Sequence, residues 1–213
     1  MLQLCSKSLF AIALVLTMFS VVRADTIYIE SINGDLSNDG LNPTVITVAG
    51  GSNFIVGTTG GTTAPDVRDY FTIFVPSNLQ FVSLIELAGT QAGNLGFLGL
   101  QSGTQVTLPT NAVTAAGLLG WVHYAPAAAD INVLPTMAIP VNGSSGFTPP
   151  LTSGNYAFWL QDTSPGTFQY AFNVVLAPVP EPPTVVLTLV GLFALFPLLR
   201  RRTFLRSSPK RQG

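Results

Sequence analysis

Hydrophobic and polar residues alternate with a period of two along most of the chain between Asp25 and Pro178, and Gly, Pro, Asn and Ser cut the alternation into short runs. Such runs put successive side chains on opposite faces of a strand, so they predict half-buried β-strands. The runs are Thr44–Val48, Phe54–Thr58, Tyr70–Val75, Phe81–Leu87, Gly96–Leu100, Leu118–Tyr124, Tyr156–Gln161 and Phe168–Leu176. The first two flank the turn sequence Gly50-Gly51-Ser52-Asn53, and Tyr70–Val75 stops at Pro76. About eight strands at this spacing, with few long helix formers, predict an all-β fold, an antiparallel β-sandwich. Thr110–Gly117 reads as a short helix, and Ala125–Asp130 and Pro149-Pro150 as loops.

The two ends are apolar without alternation. Met1–Ala24 carries Lys7, an apolar run Leu9–Val22 and the small-x-small triplet Val22-Arg23-Ala24, the layout of a secretory signal peptide. A retained N-terminal membrane helix is the alternative. Removal of the signal takes away Cys5, the only cysteine, and leaves the exported domain without disulfide or thiol chemistry. At the other end Val179-Pro180-Glu181-Pro182-Pro183 precedes Thr184–Leu199, sixteen residues without a charge, and then Arg200-Arg201-Arg202. As a helix that run spans ~24 Å against ~30 Å of bilayer hydrocarbon. Its arginines belong on the cytoplasmic side, which leaves everything before Val179 outside. The expected organisation is therefore a signal peptide at 1–24, an exported domain at 25–178 and a tail with a transmembrane helix at 179–213.

Charge sharpens this division. Two of the nine basic residues lie in the signal and six at or beyond Arg200, which leaves Arg68 alone in the body. The body holds nine acids, Asp25, Glu30, Asp35, Asp39, Asp66, Asp69, Glu86, Asp130 and Asp162, for a formal charge of −8. Such a surface repels phosphate backbones, so nucleic-acid binding is excluded.

Chemistry-bearing motifs are few. His123 is the single histidine, in an alternating run; there is no metal-ligand His pair and no Gly-x-Ser-x-Gly. Gly57-Thr58-Thr59-Gly60-Gly61 lacks the lysine of a phosphate loop. The sequence is therefore read as non-enzymatic. Asp35-Leu36-Ser37-Asn38-Asp39-Gly40 places oxygen side chains at alternate positions before a glycine. It is read either as plain turn chemistry or as a calcium-supporting loop, with Asp35, Ser37 and Asp39 as ligands and Asp66 and Asp69 as a second group. Aromatics at period two, Tyr156/Phe158 and Tyr170/Phe172, form a core face. Trp121 and Trp159 fall on the other parity and are candidates for stacking a sugar ring.

The tail, Val179-Pro180-Glu181-Pro182 with the apolar segment and the Arg200–Arg202 cluster, resembles the PEP-CTERM sorting signal of Gram-negative bacteria. Pro183 departs from that pattern, in which a small polar residue is usual. The resemblance implies processing by an exosortase, a membrane-embedded cysteine transpeptidase, and delivery from the inner membrane to the cell surface or extracellular polysaccharide. In the body, Asn38-Asp39, Pro43, Gly57 and Asp66-x-Arg68-Asp69-Tyr70-Phe71, with Gly154-x-Tyr156-x-Phe158 and Tyr170-x-Phe172-x-Val174, resemble the bacterial pre-peptidase C-terminal β-sandwich. That implies a jelly-roll-like domain without catalysis of its own. The expected role is structural or adhesive, with a carbohydrate- or calcium-binding module as the alternative and a secreted hydrolase as the remote one.

Overall fold

A computed structural model of the chain describes residues 26–61 and 67–180. The chain divides into two units, Met1–Pro178 and Val179–Gly213. Of the second, only Val179 and Pro180 are described, and both are exposed. The expected signal peptide, Asp66, and the sorting residues Glu181, Pro182, Arg200, Arg201 and Arg202 lie outside the described residues. Among the described residues no helix is long and apolar enough to cross a membrane.

The fold is all-β, in two five-stranded sheets with two single-turn helices. The first sheet runs β1 (Thr26–Ile29), β3 (Gly51–Thr59), β10 (Phe168–Pro178), β5 (Leu79–Glu86), β8 (Ile131–Asn132). The second runs β2 (Thr44–Ile46), β4 (Arg68–Val75), β9 (Gly154–Gln161), β6 (Gly96–Ser102), β7 (Gly120–Tyr124). Helix α1 is Glu30–Asn33 and α2 is Leu134–Met137. The sheets are mixed, which corrects the purely antiparallel expectation. β1 pairs parallel to β3 and β2 parallel to β4, while every other pairing is antiparallel.

The reason lies in the turn at Gly50-Gly51, which does not close a hairpin. β2 and β3 enter different sheets, so each must find a partner elsewhere. Asn53 holds that crossing. Its side-chain amide donates to Ala49 O (2.9 Å) and Val174 O (2.9 Å), and its Oδ1 accepts from Ala49 N (2.8 Å). A buried amide satisfied on both ends is a strong local determinant, because leaving either group unpaired costs about 1–3 kcal/mol.

One apolar cluster takes side chains from both sheets. Ile55, Phe81, Leu84, Phe172 and Val174 come from the first, and Phe71, Ile73, Leu98, Phe158 and Leu160 from the second. Phe71 stacks on Phe158 at 4.5 Å. Rings of the two sheets meet where Phe81 approaches Tyr156 and Phe158, and where Tyr124 stands edge-on to Phe172 at 5.5 Å. A register shift between β5 and β10 at Val175/Leu176 lets Leu84 and Glu86 resume the inward parity after Phe81.

The second sheet also has a buried outer face. There Val106, Ala115 and Leu118, from the segment after β6, pack on Tyr70, Ala157 and Trp159. This segment includes the expected Thr110–Gly117 helix, which does not form. Its backbone bonds run to distant partners instead: Val106 N to Gly40 O (2.7 Å), Ala115 N to Asn142 O (2.7 Å) and Leu119 N to Leu100 O (2.8 Å). Thr110, Val113 and Thr114 are weak helix formers, and Gly117 sits at φ +108°.

Candidate functional site

Two places on the body gather unusual side chains. The first begins at α1, a single turn that curls the chain back after β1. Ile29 N donates to Asn33 Oδ1 (2.8 Å), and Gly34, at φ +101°, donates to Glu30 O (2.9 Å). The turn delivers the Glu30 carboxylate to the end of β3 and β10. Its Oε2 accepts from Thr58 N (2.7 Å), and its Oε1 accepts from the Tyr170 hydroxyl (3.2 Å). Gly57 makes the room, since a Cβ there would overlap both Tyr170 Oη and the Glu30 carboxyl carbon.

Glu30, Asp35 and Asp69 converge on this point, each offering a carboxylate oxygen within 4.8 Å of the others. Asp35 is exposed, Glu30 half-buried and Asp69 buried at the start of β4. Burial pushes the Glu30 carboxyl above its ordinary range; the Thr58 and Leu36 N–H groups pull it back, and the Asp35 charge adds to the rise. Burial also raises the Tyr170 phenol, followed by the Asp69 and Glu30 charges, so that it stays a donor. Three hard oxygen donors with a phenol beside them suit a cation such as Ca²⁺.

Only part of the expected calcium group lies here. Strand parity puts Asp69 on the inner face and Arg68 on the outer, where Arg68 Nε donates to Gln161 Oε1 (3.0 Å). Ser37 pairs with Tyr70, next to Asp69, and with Asp39 makes the local turn. Ser37 Oγ accepts from Asp39 N (3.1 Å), and Asp39 accepts from Leu41 N (2.9 Å) and the Asn42 amide (2.7 Å). These are turn bonds, and they hold the exposed Asp39 carboxyl below its ordinary range. Glu30, the missing third carboxylate, had no local signal. Its position depends on a chain reversal and on a vacancy at Gly57.

The second place is a cleft of about 330 Å³ on the outer face of the second sheet. Opposite parity carries Trp121, His123, Phe97, Trp159 and Gln161 to this face, while their neighbours Tyr124, Leu98, Phe158 and Leu160 enter the core. Phe97 and Trp121 stack at 5.8 Å and 25°, and His123 stands edge-on to Trp121 at 5.1 Å. Trp121 is held by its indole N–H donating to Val141 O (3.1 Å), and His123 Nδ1 lies 3.2 Å from Gly96 O. Trp159 differs from expectation: only 6% exposed, it sits under the cover beside Phe97 (4.9 Å) and Tyr70 (5.7 Å). It is a wall rather than an open stacking surface. Its Nε1 meets no acceptor among the described residues.

The chain matches no protein-family model, and no curated protein shows significant similarity to it.

Proposed function

We propose that this is an exported, non-catalytic protein whose two sheets form a jelly-roll-like sandwich, delivered to the cell surface or extracellular matrix by its C-terminal sorting segment. The observation that carries this reading is the position of the last strand among the described residues. β10 lies between β3 and β5 and ends at Pro178, and Val179 and Pro180, which open the Pro-Glu-Pro stretch, are exposed. A transpeptidase cutting near Pro182 would therefore release both described sheets whole. Rings of the two sheets in mutual contact support the sandwich. Support for a non-catalytic role comes from His123, which faces Gly96 O and two aromatic rings.

Intact mass and cell fractionation, with and without the exosortase-type enzyme, test the proposal. The expected result is an enzyme-dependent loss of the residues after about Pro182 and appearance of the body outside the inner membrane. Protein that keeps Arg200–Gly213 and stays in the inner membrane in both strains would make the tail an ordinary anchor.

The convergence of Glu30, Asp35 and Asp69 favours a second reading, a calcium-stabilised body. Saturating calcium at ~100 times Kd would add about 2.7 kcal/mol to stability. The melting temperature should then rise with millimolar Ca²⁺ in the wild type and not in Asp35→Asn, whose exposed side chain can be changed without touching the core. An equal response of both proteins sinks the reading.

A further inference from the structure

We propose that the cleft on the outer face of the second sheet binds a neutral pyranose unit of an oligosaccharide, with Trp121 and Phe97 as its stacking surface. The inference rests on the body alone and is independent of how the tail is processed.

The chemistry of the lining selects the ligand. Among the described residues no Asp, Glu, Lys or Arg lines the cleft, in a body that carries nine acids and one base. The body's one base, Arg68, reaches the cleft only through Gln161, to which its Nε donates, so an anionic ligand would meet no lining cation and a cationic one no lining carboxylate. The walls instead mix aromatic rings with uncharged hydrogen-bonding groups: His123, Gln161, Asn142, Thr110 and Thr114. A purely apolar guest would leave those groups dry and unpaired. A pyranose matches both kinds of wall, because its C–H faces are apolar and its hydroxyls ring the edge. The cleft lies at the small end of ligand sites, about 300–1,000 Å³, which suits a short saccharide.

The cleft is also built in advance. Trp121 is fixed by its bond to Val141 O, and Phe97 is backed by the edge of Trp159. Gly99 faces Trp121 on one side and Trp159 on the other. With no side chain, it leaves its place to the Phe97 ring, which lies 3.0 Å from where a Cβ would stand. His123 is exposed, and its Nδ1 is turned to Gly96 O, so Nε2 is the nitrogen left for a sugar hydroxyl. Arg68 fixes Gln161 by donating to its Oε1. Groups held in place before binding lose less freedom when the ligand arrives.

The test is titration of the purified full chain, followed by tryptophan emission and calorimetry, with cellotriose, maltotriose, xylotriose and mannotriose, and with trigalacturonate as the anionic probe. The expected result is saturable binding of at least one neutral trisaccharide, with trigalacturonate weaker. Trp121→Ala should weaken binding roughly tenfold or more. His123→Ala, at an exposed position that leaves the fold intact, should weaken it about three- to tenfold. Absence of binding by all four neutral probes to millimolar concentration overturns the proposal. So does binding that survives both substitutions, a preference for trigalacturonate, or Trp121-dependent uptake of the apolar dye N-phenyl-1-naphthylamine without any sugar binding.

Discussion

The two sheets have the same strand count and the same pairing scheme, yet they are buried differently. Along β3 buried and half-buried residues alternate without exception, so the first sheet turns one face to the core and the other toward solvent. Along β4 and β9 the middle residues are buried one after another. The difference comes from the irregular segment after β6, which lays Val106, Ala115 and Leu118 across the outer face of the second sheet. Covering that face creates the walls of the cleft. An irregular segment thus builds the cleft beside Trp121, while the Glu30, Asp35 and Asp69 group stands at the end of β3 and β10 without any such cover among the described residues.

The largest effect should come from the face that both sheets share. Phe158→Ala removes a fully buried ring that touches Phe71 and Phe81, and should cost about 3–5 kcal/mol in denaturant unfolding. Next is the cover. Leu118→Ala should cost about 2–3 kcal/mol and raise protease sensitivity within 103–119, because its side chain is 1% exposed. A loss below ~0.5 kcal/mol would mean that the segment is a surface loop, and the contrast between the sheets would collapse.

A third experiment uses pH. Glu86 points inward from β5 and is 3% exposed; burial raises its carboxyl, with the Ala125 N–H pulling it partly back. Its Oε1 has no partner among the described residues. Because the folded value is above the unfolded one, the stability that Glu86 contributes is fully present below the unfolded carboxylate range, near pH 4, and is lost as pH rises through the raised folded value. Glu30 acts in the same sense. Glu86→Gln should therefore flatten the rise in melting temperature between neutral and mildly acid buffer, and an unchanged slope would count against a raised carboxyl. The smallest effect belongs to the open face of the first sheet, where Val175→Thr should stay within about 0.5 kcal/mol.

This contrast also separates what the sequence reveals from what it hides. Alternation marks strands with one wet face, β3 most cleanly, because such a strand must alternate. β4 and β9, covered on both faces, are marked instead by the nearly unbroken apolar runs Tyr70–Val75 and Tyr156–Leu160 between turn residues. β8 is too short to carry a pattern, and β1 follows shortly after the apolar run Leu9–Val22. The parallel pairing of β1 and β2 is set by partners far along the chain, and no local pattern encodes it. At the candidate sites, parity places Trp121 and Trp159 off the core, and turn chemistry marks Asp35. Glu30 depends on Gly57, and the burial of Trp159 depends on Leu118; both are contacts between distant segments.

The places of β9 and β10 set the order in which the body can be assembled. Each is the middle strand of its sheet, and they are the last two strands of the described chain. Until they arrive, the earlier strands can make only four two-stranded ribbons, β1 with β3, β5 with β8, β2 with β4, and β6 with β7. Isolated ribbons are marginal in water, and their open edges invite wrong partners. A chain emerging N-terminus first would therefore stay pliable, and in need of protection, until residues near 178 are free. Its folding should be a late, long-range event in which two final strands close both sheets at once.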